Sequence, residues 1–249
     1  MAAELLDVHG LLFKRQKYKE ADLLAKLWTK ELGIVTVIIK GGMRPKSRLA
    51  AAVLPFTEGT FGVLTRRQGI SQLRTYKKLR QHDELFTDLD KSAYLSYLFD
   101  LADHAFSEYQ NLGSYYQLLM GAFDRIVAGQ DPEIIAQIVQ LQLLAAFGVA
   151  PQLAACVICG KEQGIFDYSL SLGGVVCSDH FRNVDRLHLS PKAAALIRTL
   201  GLLPLERLGQ IQLDEPLKKE SRRAVAQIYQ ATVDLNLPSL RFLNEVRGG

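Results

Sequence analysis

Cysteine is scarce in this 249-residue chain: there are three, all between positions 156 and 177. That number is odd and the cysteines are clustered, which excludes a disulfide framework and leaves metal binding or thiol chemistry as their use. The chain also has no apolar run of about 18 residues, the length expected of a membrane span. Its opening, MAAELLDVHGLLFKRQKYKE, is too broken by charge to be read as a secretion signal. A cytoplasmic, nucleoid-associated protein with no membrane partner is expected. Internal repeats and low-complexity tracts are missing. So are a GxSxG elbow, an HExxH pair, the His-x-Glu pair of zinc deaminases and a dinucleotide fingerprint. Asp100, Asp103 and His104 fall together in a helical stretch, but scattered acids there read as a solvated face. The chain is expected not to be an enzyme.

What is present is a strong charge asymmetry. Residues 1–80 hold sixteen Lys and Arg against six Asp and Glu, and the remainder holds fourteen against twenty. A basic front on an acidic rear is the footprint of a protein whose first part meets a polyanion.

The same boundary separates two periodicities. Residues 5–80 carry short runs rich in Val, Ile, Thr and aromatics, punctuated by Gly33, Gly41-Gly42, Pro55, Glu58-Gly59 and Gly69. In Ala21–Glu31, Leu23, Ala25 and Leu27 alternate with Leu24, Lys26, Trp28 and Lys30. Ile34–Ile39 is apolar on both faces, as a central strand would be. About five strands in 1–80 predict a small closed barrel of the OB type, and an SH3-like barrel fits the same pattern. From His82 the spacing turns helical. Asp131-Pro132 and Ser190-Pro191 read as helix starts, with further helices over 217–235 and after Pro238. The predicted class is α+β and multidomain: an OB-fold barrel over 1–80, then an α-helical domain over 81–249 interrupted by a zinc-binding insertion at 149–186.

That insertion holds Cys156-Val-Ile-Cys159, seventeen residues, then Cys177-Ser-Asp-His180. Two Cys-x-x-ligand knuckles at this separation match a four-ligand zinc pattern. Tyr168–Val176 reads as a hairpin about Gly173-Gly174 that returns the second knuckle to the first. Cys156, Cys159, Cys177 and His180 are the candidate ligands, with Asp179 and His188 as alternatives for the fourth. Three thiolates and an imidazole leave no position for water, so one structural Zn2+ is expected.

In the basic part, Lys40-Gly-Gly-Met-Arg44-Pro-Lys46-Ser-Arg48 places four cations around a glycine pair. It is no P-loop, because Pro45 stands where a glycine must precede the lysine. It suits contact with phosphates. Lys26, Trp28 and Lys30 share a strand face, where Trp28 either stacks bases or packs at the barrel rim. Lys14, Arg15, Lys17, Arg66 and Arg67 complete the candidate DNA-contact set. With no base-reading helix in view, contact is expected to be mainly with backbone.

Taken in order along the chain, Tyr18-Lys-Glu-Ala-Asp22, Glu31-Leu-Gly33, Lys40-Gly41 through Ser47-Arg48, Leu54-Pro55-Phe56, the cysteine cluster and Ser239-Leu-Arg-Phe-Leu243 resemble the RecO family of bacterial DNA repair and recombination mediators. The resemblance implies an OB-fold, a helical remainder and a zinc site, with binding of single- and double-stranded DNA and annealing of complementary strands. It also implies help in loading RecA onto coated single strands. The implied partners are RecR, the acidic C-terminal tail of the single-stranded-DNA-binding protein and, indirectly, RecA. Many relatives have a fourth cysteine where this chain has His180. The rival reading is a zinc-containing protein-protein scaffold whose basic barrel binds an acidic protein surface.

Overall fold

The computed structural model describes residues 4–65 and 69–248. They divide into two compact units, Met1–Met120 and Gly121–Gly249.

The first unit is built on five strands: β1 (Glu4–Tyr18), β2 (Asp22–Thr29), β3 (Gly33–Ile39), β4 (Thr57–Thr65) and β5 (Ser71–Arg80). They form a ring in the order β1-β2-β3-β5-β4, with β1 also paired to β4. All pairings are antiparallel except that of β3 with β5, which consists of Val37–Ser71 and Ile38–Gln72. This ring is the OB arrangement expected from the sequence. Alternation puts Val8, Leu12, Leu23, Ala25, Leu27, Val35, Val37, Ile39, Phe61, Val63 and Leu73 inside. Gly10 is required where β1 crosses Thr29, since a Cβ there would stand 2.1 Å from the Trp28 carbonyl oxygen. Between β3 and β4 a short 3-10 turn, Ala50–Val53, adds Ala52 and Val53 to the barrel core.

Two helices follow, α1 (Glu84–Thr87) and α2 (Leu89–Ala105). Asp88 caps α2 by accepting from the Lys91 N–H at 3.1 Å. The sequence groups α2 with the helical domain, but it packs on the outside of the barrel. Phe99 stacks on Phe13 with centroids 5.5 Å apart and meets Trp28 edge-on at 5.9 Å. Beyond α2, Tyr109 donates its N–H to the Ile34 carbonyl at 3.0 Å. The compact unit therefore extends about 40 residues past the change of periodicity, because a strand face carrying Phe13 and Trp28 needs a cover. A third helix, α3 (Ser114–Val127), runs from the first unit into the second.

The second unit holds α4 (Pro132–Leu143), a hairpin of β6 (Phe166–Ser169) and β7 (Gly174–Cys177), α5 (Pro191–Leu202), α6 (Glu215–Thr232) and α7 (Pro238–Gly248). Both Pro-marked starts are capped as expected. Asp131 accepts from the Glu133 and Ile134 N–H groups, and Ser190 from that of Ala193. Glu133 of α4 ties three helices together, bonding Arg222 of α6 at 3.0 Å and Arg247 of α7 at 3.2 Å. Among the described residues, no helix is long and apolar enough to cross a membrane.

Candidate metal centre and nucleic-acid surface

The expected hairpin forms, but it turns through residues 170–173 and not about Gly173-Gly174: Gly174 already pairs with Ser169, Tyr168 lies opposite Val175 and Phe166 opposite Cys177. The first knuckle lies against it, Val157 donating to the Val175 carbonyl at 2.9 Å, and the second knuckle continues it, Ser178 donating to the Ile165 carbonyl at 3.0 Å. Gly174 must lack a side chain, because a Cβ would lie 2.6 Å from both the Gln152 carbonyl and Val157. Gly160, at φ +73°, closes the Cys156–Cys159 turn, donating to the Cys156 carbonyl at 2.9 Å.

These constraints bring one ligand atom from each of Cys156, Cys159, Cys177 and His180 within 4.8 Å of one another. The Cys159 and Cys177 sulfurs are 3.7 Å apart, and the Nδ1 of His180 is 3.3 Å from Cys177 and 3.8 Å from Cys156. A disulfide would need about 2.05 Å. A tetrahedron with metal–sulfur bonds of about 2.3 Å needs sulfurs roughly 3.8 Å apart. The group can hold one metal ion, and its donor set fits zinc. Asp179 is turned away to an ion pair with Lys161 at 3.0 Å, and neither it nor His188 joins the cluster.

Burial pushes the Cys156 thiol up, but the N–H groups of Cys159, Cys177 and Ile158 outweigh it and hold it at about 6. Cys177 is fully buried and is pushed the other way by burial. A divalent cation among these sulfurs would favour the thiolate form of all three.

Two braces of this site carry no motif in the sequence. Arg198 of α5 lays its guanidinium 4.0 Å over the Phe166 ring and donates to the carbonyls of Leu153, Ala154 and Glu162 at 2.7–2.9 Å. Asp167, also buried, accepts from the N–H groups of Tyr168 and Leu189 and pairs with Arg186 at 3.1 Å. A helical spacing that puts Arg198 one turn from apolar Ala194 was the only signal available for the first of these.

The basic set divides. Lys40, Arg44, Lys46 and Arg48 are exposed on the segment after β3, and Lys30 is exposed just after β2. Arg15 and Lys17 are exposed towards the end of β1. None of these seven has an ion-pair partner among the described residues. Lys14 and Lys26 are different. Lys14 pairs with Asp100 at 2.7 Å, and Lys26 with both oxygens of Asp103 at 2.7 and 2.8 Å. A cavity of about 160 Å³ lies here, lined by Lys14, Arg15, Gln16, Leu24, Ala25, Lys26 and Thr36.

Two readings are corrected here. Asp100 and Asp103 do not form a solvated face, because they are the acids that seat α2 on the barrel. Trp28 is not a base-stacking platform. It is fully buried between Phe99 and Phe106, at 5.9 and 6.0 Å, and offers no ring face to a base. Arg66 and Arg67 lie outside the described residues. Sequence reasoning passed over four exposed cations of β5: Arg74, Lys77, Lys78 and Arg80.

Comparison with known proteins gives a uniform result. Residues 1–82 match the family model described as recombination protein O N terminal, and residues 87–241 the one described as recombination protein O C terminal. A protein of Lactobacillus delbrueckii subsp. bulgaricus named DNA repair protein RecO is 87% identical over 248 residues, covering all of both chains. Proteins of the same name from Lactobacillus acidophilus and Lactiplantibacillus plantarum are 58% and 36% identical. The matches cover 99% of both chains in the first case, and 96% of this chain and 93% of the relative in the second.

Proposed function

Because the chain belongs to the recombination protein O family, we propose that it is a DNA repair and recombination mediator that binds single- and double-stranded DNA, anneals complementary strands and assists RecA loading on coated single strands. The observation that carries the DNA-binding step is the exposed quartet Lys40, Arg44, Lys46 and Arg48 on a single loop of the barrel, without ion-pair partners among the described residues. Such cations displace counterions from phosphates without reading bases. Two strands neutralised on one protein repel each other less, which favours annealing. The barrel, residues 1–80, is the DNA-binding domain in this reading. Residues 81–249 supply the protein contacts, with RecR and the tail of the single-stranded-DNA-binding protein as partners. One Zn2+, held by Cys156, Cys159, Cys177 and His180, stabilises the insertion at 149–186 and performs no chemistry.

The test is anisotropy of a labelled single-stranded oligonucleotide across a salt series, with an Arg44→Glu/Lys46→Glu/Arg48→Glu variant beside the parent. The expected result is binding by the parent whose log affinity falls steeply with log salt, lost in the variant. If the parent does not bind even at low salt, the barrel serves instead as a scaffold for an acidic protein surface.

A further inference from the structure

The cations of β5 are placed where the barrel ring is weakest. The parallel pairing of β3 with β5 stops at Ile38–Gln72. Carried on by two residues, that register would set Lys40 opposite Arg74, where the strands part. Past the end of β3, the 3-10 turn Ala50–Val53 lies against β5 and β1. Leu49, Ala52 and Val53 share a core cluster with Tyr76 and Leu79 of β5, and Gln81 donates to the Ala51 carbonyl at 2.9 Å. The loop carrying Lys40, Arg44, Lys46 and Arg48 therefore leaves from the end of β3 and returns, through the 3-10 turn, against β5.

β5 is irregular against β4 at two places. Leu73 faces Val63 and Thr75 faces Gly62, so Arg74 is an extra residue on β5. Lys77 faces Thr60 and Arg80 faces Glu58, so a second extra residue falls at 78–79, and Lys78 is in the left-handed region at φ +51°. Bulges re-aim side chains, and a left-handed lysine is a strained conformation that its surroundings must hold. Both bulges carry a cation. Arg74 and Lys78 are exposed and have no ion-pair partner among the described residues, whereas Lys77 pairs with Asp7 at 2.7 Å and Arg80 stands 4.0 Å from Glu58. The fold thus spends the carboxylates of this face on the two in-register cations and leaves the two bulged ones open.

We propose that the bulged cations Arg74 and Lys78 of β5 join Lys40, Arg44, Lys46 and Arg48 across the β3–β5 seam to form one phosphate-binding strip for single-stranded nucleic acid, and that the outer face of β1 and β2, covered by α2, is not part of it. The inference rests on the DNA-binding reading above and assigns its location. Arg74 and Lys78 are four residues apart on an extended strand, at most roughly 13 Å. A stacked strand carries one phosphate per about 3.4 Å of its axis, so a spacing near roughly 13 Å lets the two cations engage different phosphates.

The experiment measures binding of labelled oligothymidine across a salt series for the full chain, an Arg74→Gln/Lys78→Gly variant, Lys78→Gly alone and Lys26→Gln. Glycine at position 78 removes the charge while relieving the left-handed strain, so its thermal midpoint is expected to stay level or rise. For the double variant, the slope of log affinity against log salt should fall by about 1.4, which is about 25-fold weaker binding at 0.1 M salt. Lys78→Gly should show about half that change in slope. Lys26→Gln should melt earlier with its slope unchanged. Parent-like slopes in both β5 variants, with the parent binding, overturn the strip and leave the DNA reading standing. A parent that binds no oligonucleotide overturns both.

Discussion

The ammonium of Lys26 on β2 sits 2.7 and 2.8 Å from the two carboxylate oxygens of Asp103 on α2, and the Asp103 side chain is only 7% exposed. A cation that looks available in the sequence is therefore part of the seat of a helix. Lys26→Met leaves Asp103 buried and unpaired and is expected to cost up to about 3 kcal/mol. Adding Asp103→Leu should recover most of that loss. Urea melts of the two single variants and the double variant measure it.

Trp28, the one tryptophan of the chain, is fully buried, and its Nε1 has no acceptor among the described residues. Its emission should be blue-shifted and should not quench when oligonucleotide is added. Trp28→Phe removes an unsatisfied donor and should cost less than about 1.5 kcal/mol, whereas Trp28→Ala should cost about 3–5. Quenching by a bound single strand would return Trp28 to the interface.

Metal analysis should find one zinc per chain, and chelation should release it. Because the four ligands come from two knuckles joined only by a short hairpin, chelation is expected to open residues 149–186 to hydrogen exchange. The barrel amides should stay protected. Unchanged protection around Cys156 and Cys177 after complete metal removal would count against a structural role.

Arg198 is expected to matter to that site without touching metal. Arg198→Lys keeps the charge but loses the planar fork that spans three carbonyls and stacks on Phe166. A drop of about 10-fold in zinc affinity, read by competition with a chromogenic chelator, is the expected result.

Acid stability should show Asp185. The Ser171 hydroxyl, and then the Ser169 hydroxyl and the N–H groups of Ser171 and Leu170, hold its carboxyl below the usual aspartate value of 3.8. The sign follows directly: its stabilisation is full above that value and is lost as pH falls through the lowered one. Asp185→Asn should be less stable at neutral pH, and the gap from the parent should close below about pH 3.8. Thermal melts between pH 7 and pH 3 give both curves.

Sequence alone determined a good deal here. Period-two alternation set the inner face of β2, the run apolar on both faces marked β3 as a central strand, Asp131-Pro132 and Ser190-Pro191 marked two helix starts, and the knuckle spacing named all four cluster residues. These are local properties, fixed by neighbours within a few positions or, for the knuckles, by one short hairpin. Which cations stay open to a partner was decided by tertiary structure alone. Lys14 and Lys26 meet their acids 86 and 77 residues away, and Trp28 is buried by a helix some 70 positions on. The two bulges of β5 exist only in register with β4. Charge and alternation give a strand residue its side of the sheet, but what covers that side depends on how distant elements pack. That packing turned a predicted base platform into core and left Arg74 and Lys78 exposed.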